Sequence, residues 1–438
     1  MARPRDVFCQ LKTAPSPVET DEIYPLHMLD DTKTLRGIVV TWTLRFNNVL
    51  DADKLHSSLS ELLEIGDWRK MGTRTDERAV EIHVPRPFTA ERPAVAYSQE
   101  ILAVDIEKHE LARALPKGTD RASVQPGPGE FRAFAARKGA PEALDDFIYH
   151  DVPQLSLHIT LFNDATLVSL SWPHTLMGVM GQQGLLRGWS MVLAGRVSDV
   201  PPVLGAREEA IRAAVDAPVE AKEDFKVGQS FERMGGKRHL LTAWVARALT
   251  SSLPQPRPVT VLHALNARFR ISSLANSPVV YIQNMAVAAF ASLPEDSHTK
   301  SLVHVALENR QHLVEQATEG QVLAFLRELL QNAKTGGDPN ILCCPSDAVL
   351  LPFTNWERAN IFKTADFSPA VVRAGEMGPL RNNAPGTIVY HHADSMRSSS
   401  AVRDVVVVLG KDHGGNYWLN GVLLPSTWLK IREDIERM

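Results

Sequence analysis

The sequence predicts a mixed α/β (α+β) protein of two domains, on three observations. At 438 residues the chain exceeds what one hydrophobic core usually serves. Short alternating apolar runs recur beside stretches with the 3.6-residue period of an amphipathic helix, so helices are expected to lie against sheets. Strands outnumber helices towards the C-terminus, which favours a mixed class over a strict strand–helix repeat. Between the halves, the tract from Asp199 to about Gly228 mixes Pro201, Pro202 and Pro218 with many charges and reads as a crossover. The expected division is an N-terminal domain over 1–198, a linker over 199–228 and a C-terminal domain over 229–438.

Gly37 to Phe46 (GIVVTWTLRF) is rich in β-branched and aromatic residues and is expected to be a strand. Asp51 then suits an N-cap for a helix with one stripe of Leu55, Leu59, Leu62 and Leu63, closed by Gly66. Val84 to Pro93, punctuated by Pro85, Pro87 and Pro93, is loop. Leu155–Phe162 and Thr166–Trp172 form a hairpin around Asn163-Asp164-Ala165, and Leu185, Leu186, Trp189, Val192 and Leu193 mark a helix ending near Gly195. In the second half, His239–Thr250, Ser301–Gln316, Gly320–Asn332 and Ser426–Arg437 are helical by pattern. Pro258–His263, Ala348–Leu351, Gly386–His391, Val402–Leu409 and Asn416–Leu424 read as strands, the last two joined by a turn at Gly410–Gly415.

Composition narrows the function. With 44% hydrophobic and 22% charged residues the chain can bury sizeable cores, and a net charge of −4 leaves no basic footprint for nucleic acid, so small molecules are the expected partners. Cys9, Cys343 and Cys344 form neither a metal-ligand spacing nor a disulfide framework, which fits a reducing compartment. The N-terminal stretch has no apolar signal region and no run approaches membrane-span length. A cytoplasmic monomer without metal or membrane is therefore expected.

Phosphate loops, dinucleotide fingerprints, HExxH and nucleophile elbows are absent from the sequence. His109-Glu110 reads as a solvated helix face, His391-His392 as a strand pair with a structural or surface role, and Lys54, Arg69, Lys70 and Arg74 as a wet basic face. His174 stands apart. It ends an apolar strand, follows Pro173 and precedes a helix, where a rigid scaffold presents a side chain to a ligand.

Around His174 the residues carry a resemblance. His174-Thr175-Leu176-Met177-Gly178-Val179 is similar to the HxxxDG hallmark of the BAHD acyltransferases, most closely the fungal members of secondary metabolism, within the chloramphenicol-acetyltransferase-like superfamily. Ala365-Asp366-Phe367-Ser368-Pro369-Ala370 resembles the family's DFGWG segment, and Thr354-Asn355-Trp356 its Thr-Ser-Trp segment. Arg268-Phe269-Arg270 with Tyr281-Ile282-Gln283-Asn284 resembles "RxR…YxGN", Gln283 replacing the Gly. Leu241-Thr242-Ala243-Trp244 resembles the helix that opens the second domain, and Pro25-Leu26-His27-Met28-Leu29-Asp30 the opening "PLSxLD", His27 replacing the Ser. Nearly the whole chain is covered.

The resemblance implies two chloramphenicol-acetyltransferase-like domains with a tunnel at their interface, where His174 acts as general base. Thr354 and Trp356 would flank the reacting carbonyl, with the Trp356 indole N–H as an oxyanion donor. An acyl-CoA or carrier-protein thioester would be co-substrate, no cofactor being permanently bound, and the acceptor a small metabolite's hydroxyl or amine. Histidine's pKa suits that base near neutrality, and such chemistry needs donors where the tetrahedral oxyanion forms. The family's Asp, which pairs with an arginine to shape the histidine loop, is Gly178 here. Arg268 or Arg270 would be that arginine, bereft of its counter-ion, and Asp366 would be architectural. Restoring the acid with Gly178→Asp is expected to raise stability or activity. Either acylation survives on other contacts, or the scaffold serves a non-acylating cyclisation or rearrangement, or it only sequesters a ligand.

Overall fold

Two five-stranded sheets organise the chain. The computed structural model describes residues 14–16, 18–72, 74–76, 81–217, 237–275, 279–375, 382–397 and 402–438. Cys9, the end of the crossover at 218–228 and the Arg74 side chain lie outside them.

The first sheet is built on β1 (Val39–Phe46), followed by helix α1 (Ala52–Leu62), β2 (Ala96–Ile101), β3 (Ser156–Leu161), β4 (Thr166–Pro173) and helix α2 (Val179–Leu193). All eight residues of β1 are buried because it is an interior strand covered on both faces. Its period of two is clean. Val40, Trp42, Leu44 and Phe46 join the core with Leu55, Leu59, Leu62, Leu185, Leu186 and Trp189 of the helices. Thr41, Thr43 and Arg45 face the other way, Thr43 Oγ1 lying 3.0 Å from Ser169 Oγ. β3 and β4 form the expected antiparallel hairpin, Ser156 opposite Ser171. β4 then runs antiparallel to β1 until Pro173 stands opposite Val39.

Asp51 caps α1 as expected, its side chain accepting from Lys54 N at 2.9 Å. The helix closes at Leu63, however, and Gly66, at φ 48°, opens the following turn. Asp51→Ala is expected to cost about 1 kcal/mol in urea denaturation at unchanged m-value, since one orphan helix N–H loses its acceptor. Trp189 locks α2 onto α1 by donating its indole N–H to Ser58 Oγ at 2.9 Å.

The second half contributes α3 (Lys237–Ser252), β5 (Val259–Asn266), β6 (Ala286–Leu293), α4 (Leu302–Gln316), α5 (Glu319–Lys334), β7 (Val349–Asn355), β8 (Tyr390–Ser395), β9 (Val405–Lys411), β10 (Tyr417–Val422) and α6 (Pro425–Glu436). The second sheet has the order β6-β5-β7-β9-β10. β7 is parallel to both neighbours and extends beyond the expected Leu351 as far as Asn355. The strand expected at Gly386 starts only at Tyr390, because Gly386 has φ 72° and cannot extend.

The sheets do not respect the division at 229. β8 pairs with β1, Tyr390 opposite Arg45 and Ser395 opposite Val40, completing the first sheet in the order β8-β1-β4-β3-β2. Val371–Ala374 likewise pairs with Asn48–Leu50. His391 and His392 point to opposite faces of β8 but neither reaches the surface. His391 Nδ1 accepts from Trp42 Nε1 at 3.3 Å, and His392 packs against Phe131 and Tyr390. His109 lies between two short 3-10 turns rather than on a helix face, its Nδ1 accepting from the N–H groups of Leu111 and Ala112. Lys70 corrects the wet-face reading, since it is 1% exposed. Among the described residues no helix is long and apolar enough to cross a membrane.

Candidate active site

His174 is placed by the sheet. The β1–β4 ladder continues one residue past Pro173, and His174 N donates to Ile38 O at 2.9 Å. Its carbonyl accepts from Asn284 Nδ2 at 2.8 Å, so a second-half side chain grips the loop. The ring keeps part of its surface open while its interior side is enclosed. Burial pushes its pKa below the ordinary 6.5. Nδ1 has no hydrogen-bond partner among the described residues.

Beside this loop, the residues at the start of α2 and the ends of β5 and β7 enclose a cavity of about 500 Å³. Gly178, Arg268, Arg270, Thr354 and Trp356, named from sequence, all line it. His174 and Asp366 do not. The His174 carbonyl is bonded to Asn284, which does line the cavity. Thr354 is held by strand pairing to Val407, and Trp356 N donates to Val408 O at 2.8 Å. The Trp356 indole N–H has no partner among the described residues. Asp366 is exposed and caps a turn, accepting from Ser368 N at 3.1 Å, while Phe367 stacks on Phe46 at 5.3 Å and meets Trp189 at 4.7 Å. A larger open hollow of about 1170 Å³, between residues 116–130 and the α3 and α6 helices, is lined by Leu241 and Trp244 of the second-domain helix but by none of the candidate site residues.

The cavity's charge is one-sided. Arg268, Arg270, Arg310 and Arg358 line it together with His239 and His263, and among the described residues no acidic one does. The Arg358 guanidinium lies over the Phe269 ring, 3.4 Å from its centroid. His263 Nε2 donates to Asn309 Oδ1 at 2.8 Å, and burial drives its pKa down to about 4, so it adds no charge near neutrality.

Arg268 lies inside a 3-10 turn over Ala267–Phe269, and Arg270 closes it. Arg270 is exposed. Arg268 turns inward, donating to Tyr281 O at 2.8 Å and to Gln283 O and Asn266 Oδ1. Its ionisation is pulled down to about 10 by burial, against Tyr281 and Asp30. Asp30 is the acid whose charge acts on Arg268. It is fully buried and pushed up to about 6 by that burial, held down by Lys70, Asn284 and Arg268. Lys70 is lowered to about 8 by burial, opposed by Asp30, and its Nζ donates to Pro25 O at 3.0 Å.

These contacts bear on Gly178→Asp. A Cβ at 178 would stand 2.9 Å from Asn284 Oδ1, and that amide is pinned to both Asp30 and His174. Asp at 178 would have to displace it beside an existing buried carboxylate. The two departures from the family pattern also meet: His27 Nε2 and Gln283 Nε2 each lie 2.5 Å from Gly205 O. Sequence reasoning noted Asp30, His27, Gln283 and Asn284 only inside motifs. Their union across some 254 positions has no periodic signal.

No protein-family model matches the chain. It is 32% identical to the O-acetyltransferase PaAT-2 of Phomopsis amygdali, over 96% of this chain and 99% of that protein. It is 30% identical to a Penicillium decumbens protein named transcriptional regulator calD, over 96% and 97%. Several further relatives at 28–29% identity are named acetyltransferases or O-acyltransferases. The fold is shared with F. sporotrichioides TRI101 complexed with coenzyme A and T-2, at TM-score 0.64 and 12% identity, over 95% of this chain and 98% of the other. The chain belongs to the family of fungal acetyltransferases that includes PaAT-2, built on the two-domain fold of the BAHD acyltransferases.

Proposed function

We propose that the chain transfers an acyl group from a coenzyme A or carrier-protein thioester to a hydroxyl or amine of a small secondary metabolite, with His174 as general base. One observation carries this reading: the cavity beside the His174 loop gathers four arginines and, among the described residues, no acid, a lining that suits the phosphates of an acyl-CoA. The names of the relatives agree with it.

Nε2 of His174 takes the proton as the acceptor oxygen or nitrogen attacks the thioester carbonyl. The carbonyl π pair moves onto oxygen, where the Trp356 indole N–H and the Thr354 hydroxyl are the nearest donors by family pattern. Collapse of the tetrahedral species expels the thiolate, which takes the proton back from His174. No acyl-enzyme forms, and the imidazole ends as it began.

Calorimetric titration with coenzyme A tests the donor site. Wild type is expected to bind with salt-dependent affinity, and Arg358→Ala to bind about tenfold more weakly, one charge-assisted contact. Absence of coenzyme A binding, with conversion of an unacylated metabolite, would favour the cyclisation or rearrangement reading.

A further inference from the structure

Asn284 holds an unusual position. Its backbone N–H and its Nδ2 both donate to Asp30 Oδ1, at 2.7 and 2.9 Å, and the same Nδ2 donates to the His174 carbonyl at 2.8 Å. A carboxylate can only accept, so Asp30 fixes which end of the amide points its way. That orientation is also the one that gives His174 O a donor. The His174 peptide is thus held at both ends, its N–H by Ile38 in the sheet and its C=O by Asn284. Fixing that peptide at both ends fixes the backbone from which the His174 ring projects.

Position 178 completes the picture. A Cβ there would come within 2.9 Å of Asn284 Oδ1, so the space a side chain at 178 would take is occupied by this amide. We infer that Asn284, oriented by Asp30, is the positioning residue for His174 and does in this chain what a carboxylate four residues after the histidine does in the resembled family. Glycine at 178 is then required by the arrangement rather than a decayed motif. The inference rests on the reading of His174 as the base.

A double-substitution cycle tests it. Gly178→Ala removes no polar group and only pushes on the amide, whereas Asn284→Ala deletes it. Each is expected to lower kcat about tenfold, the scale of a misplaced catalytic group, with the thioester KM within about threefold. Because both act through one contact, the double variant is expected to be no worse than the poorer single by more than about twofold. Carbethoxylation of His174, followed by peptide mass spectrometry, should accelerate equally in all three variants. Losses that multiply would overturn the inference, as would an Asn284→Ala protein with unchanged kcat and modification rate. If Asn284→Ala does not fold, Gly178→Ala decides alone, an unchanged rate of modification and turnover counting against. Should wild type release no thiol from acetyl-CoA, the acyl-transfer reading fails, and the modification rates still decide the role of Asn284.

Discussion

His174→Ala is expected to lower kcat by about two to four orders of magnitude, the usual range for removing a positioned general base. The thioester KM should change little, because His174 does not line the arginine cavity. The wild-type pH profile carries the same signature. Burial holds the His174 pKa below 6.5, so the base is already neutral at pH 7 and kcat/KM should fall only on the acid side of that value. The sign for stability follows: with the folded pKa below the unfolded one, the unfolded chain takes the proton more readily. This contribution is complete above 6.5 and is lost as pH falls through the folded pKa. A His174→Ala enzyme with an undiminished kcat would remove the imidazole from the chemistry.

The second large effect is on stability. Arg268→Met is expected to cost about 3–5 kcal/mol in urea denaturation, the penalty for removing one side of a buried charge arrangement. The guanidinium bridges the carbonyls of Tyr281 and Gln283 and lies 5.0 Å from the Tyr281 ring centroid, and it is one of two cations that hold Asp30 down. Methionine fills much of the volume but donates nothing, so two carbonyls and one acid lose their partner. Arg268→Lys should recover only part of the loss, since an ammonium cannot span the fork. A loss below about 1 kcal/mol for Arg268→Met would show that Lys70 alone neutralises Asp30.

Much of this was legible in the sequence, and the limits are physical. The β3–β4 hairpin, α1 and α2 are local objects, written in alternation, caps and a five-residue apolar face, and each appears where expected. The pairing of β8 with β1 joins positions hundreds of residues apart, and nothing in the Tyr390–Ser395 stretch says which sheet it completes. Lys70 reads as surface because lysine is rarely buried, yet the carbonyls of Pro25 and Ala206 and the charge of Asp30 hold it inside. The arginines of the site were found through the family pattern. Arg310 and Arg358 were missed, since neither helix periodicity nor turn chemistry distinguishes a cavity-facing arginine from a solvated one. Gly178 is legible as a departure from the family pattern, but the amide that lies beside it, Asn284 on Asp30, arrives from two other parts of the chain.

The most direct test is to follow thiol release from acetyl-CoA while presenting the purified protein with small hydroxylated and aminated metabolites. The account predicts free thiol appearing in a one-to-one ratio with acylated acceptor, dependent on His174 and slowed by added coenzyme A. Acceptor converted without thiol release, or a protein that neither binds coenzyme A nor transfers an acyl group to any member of the panel, would contradict it.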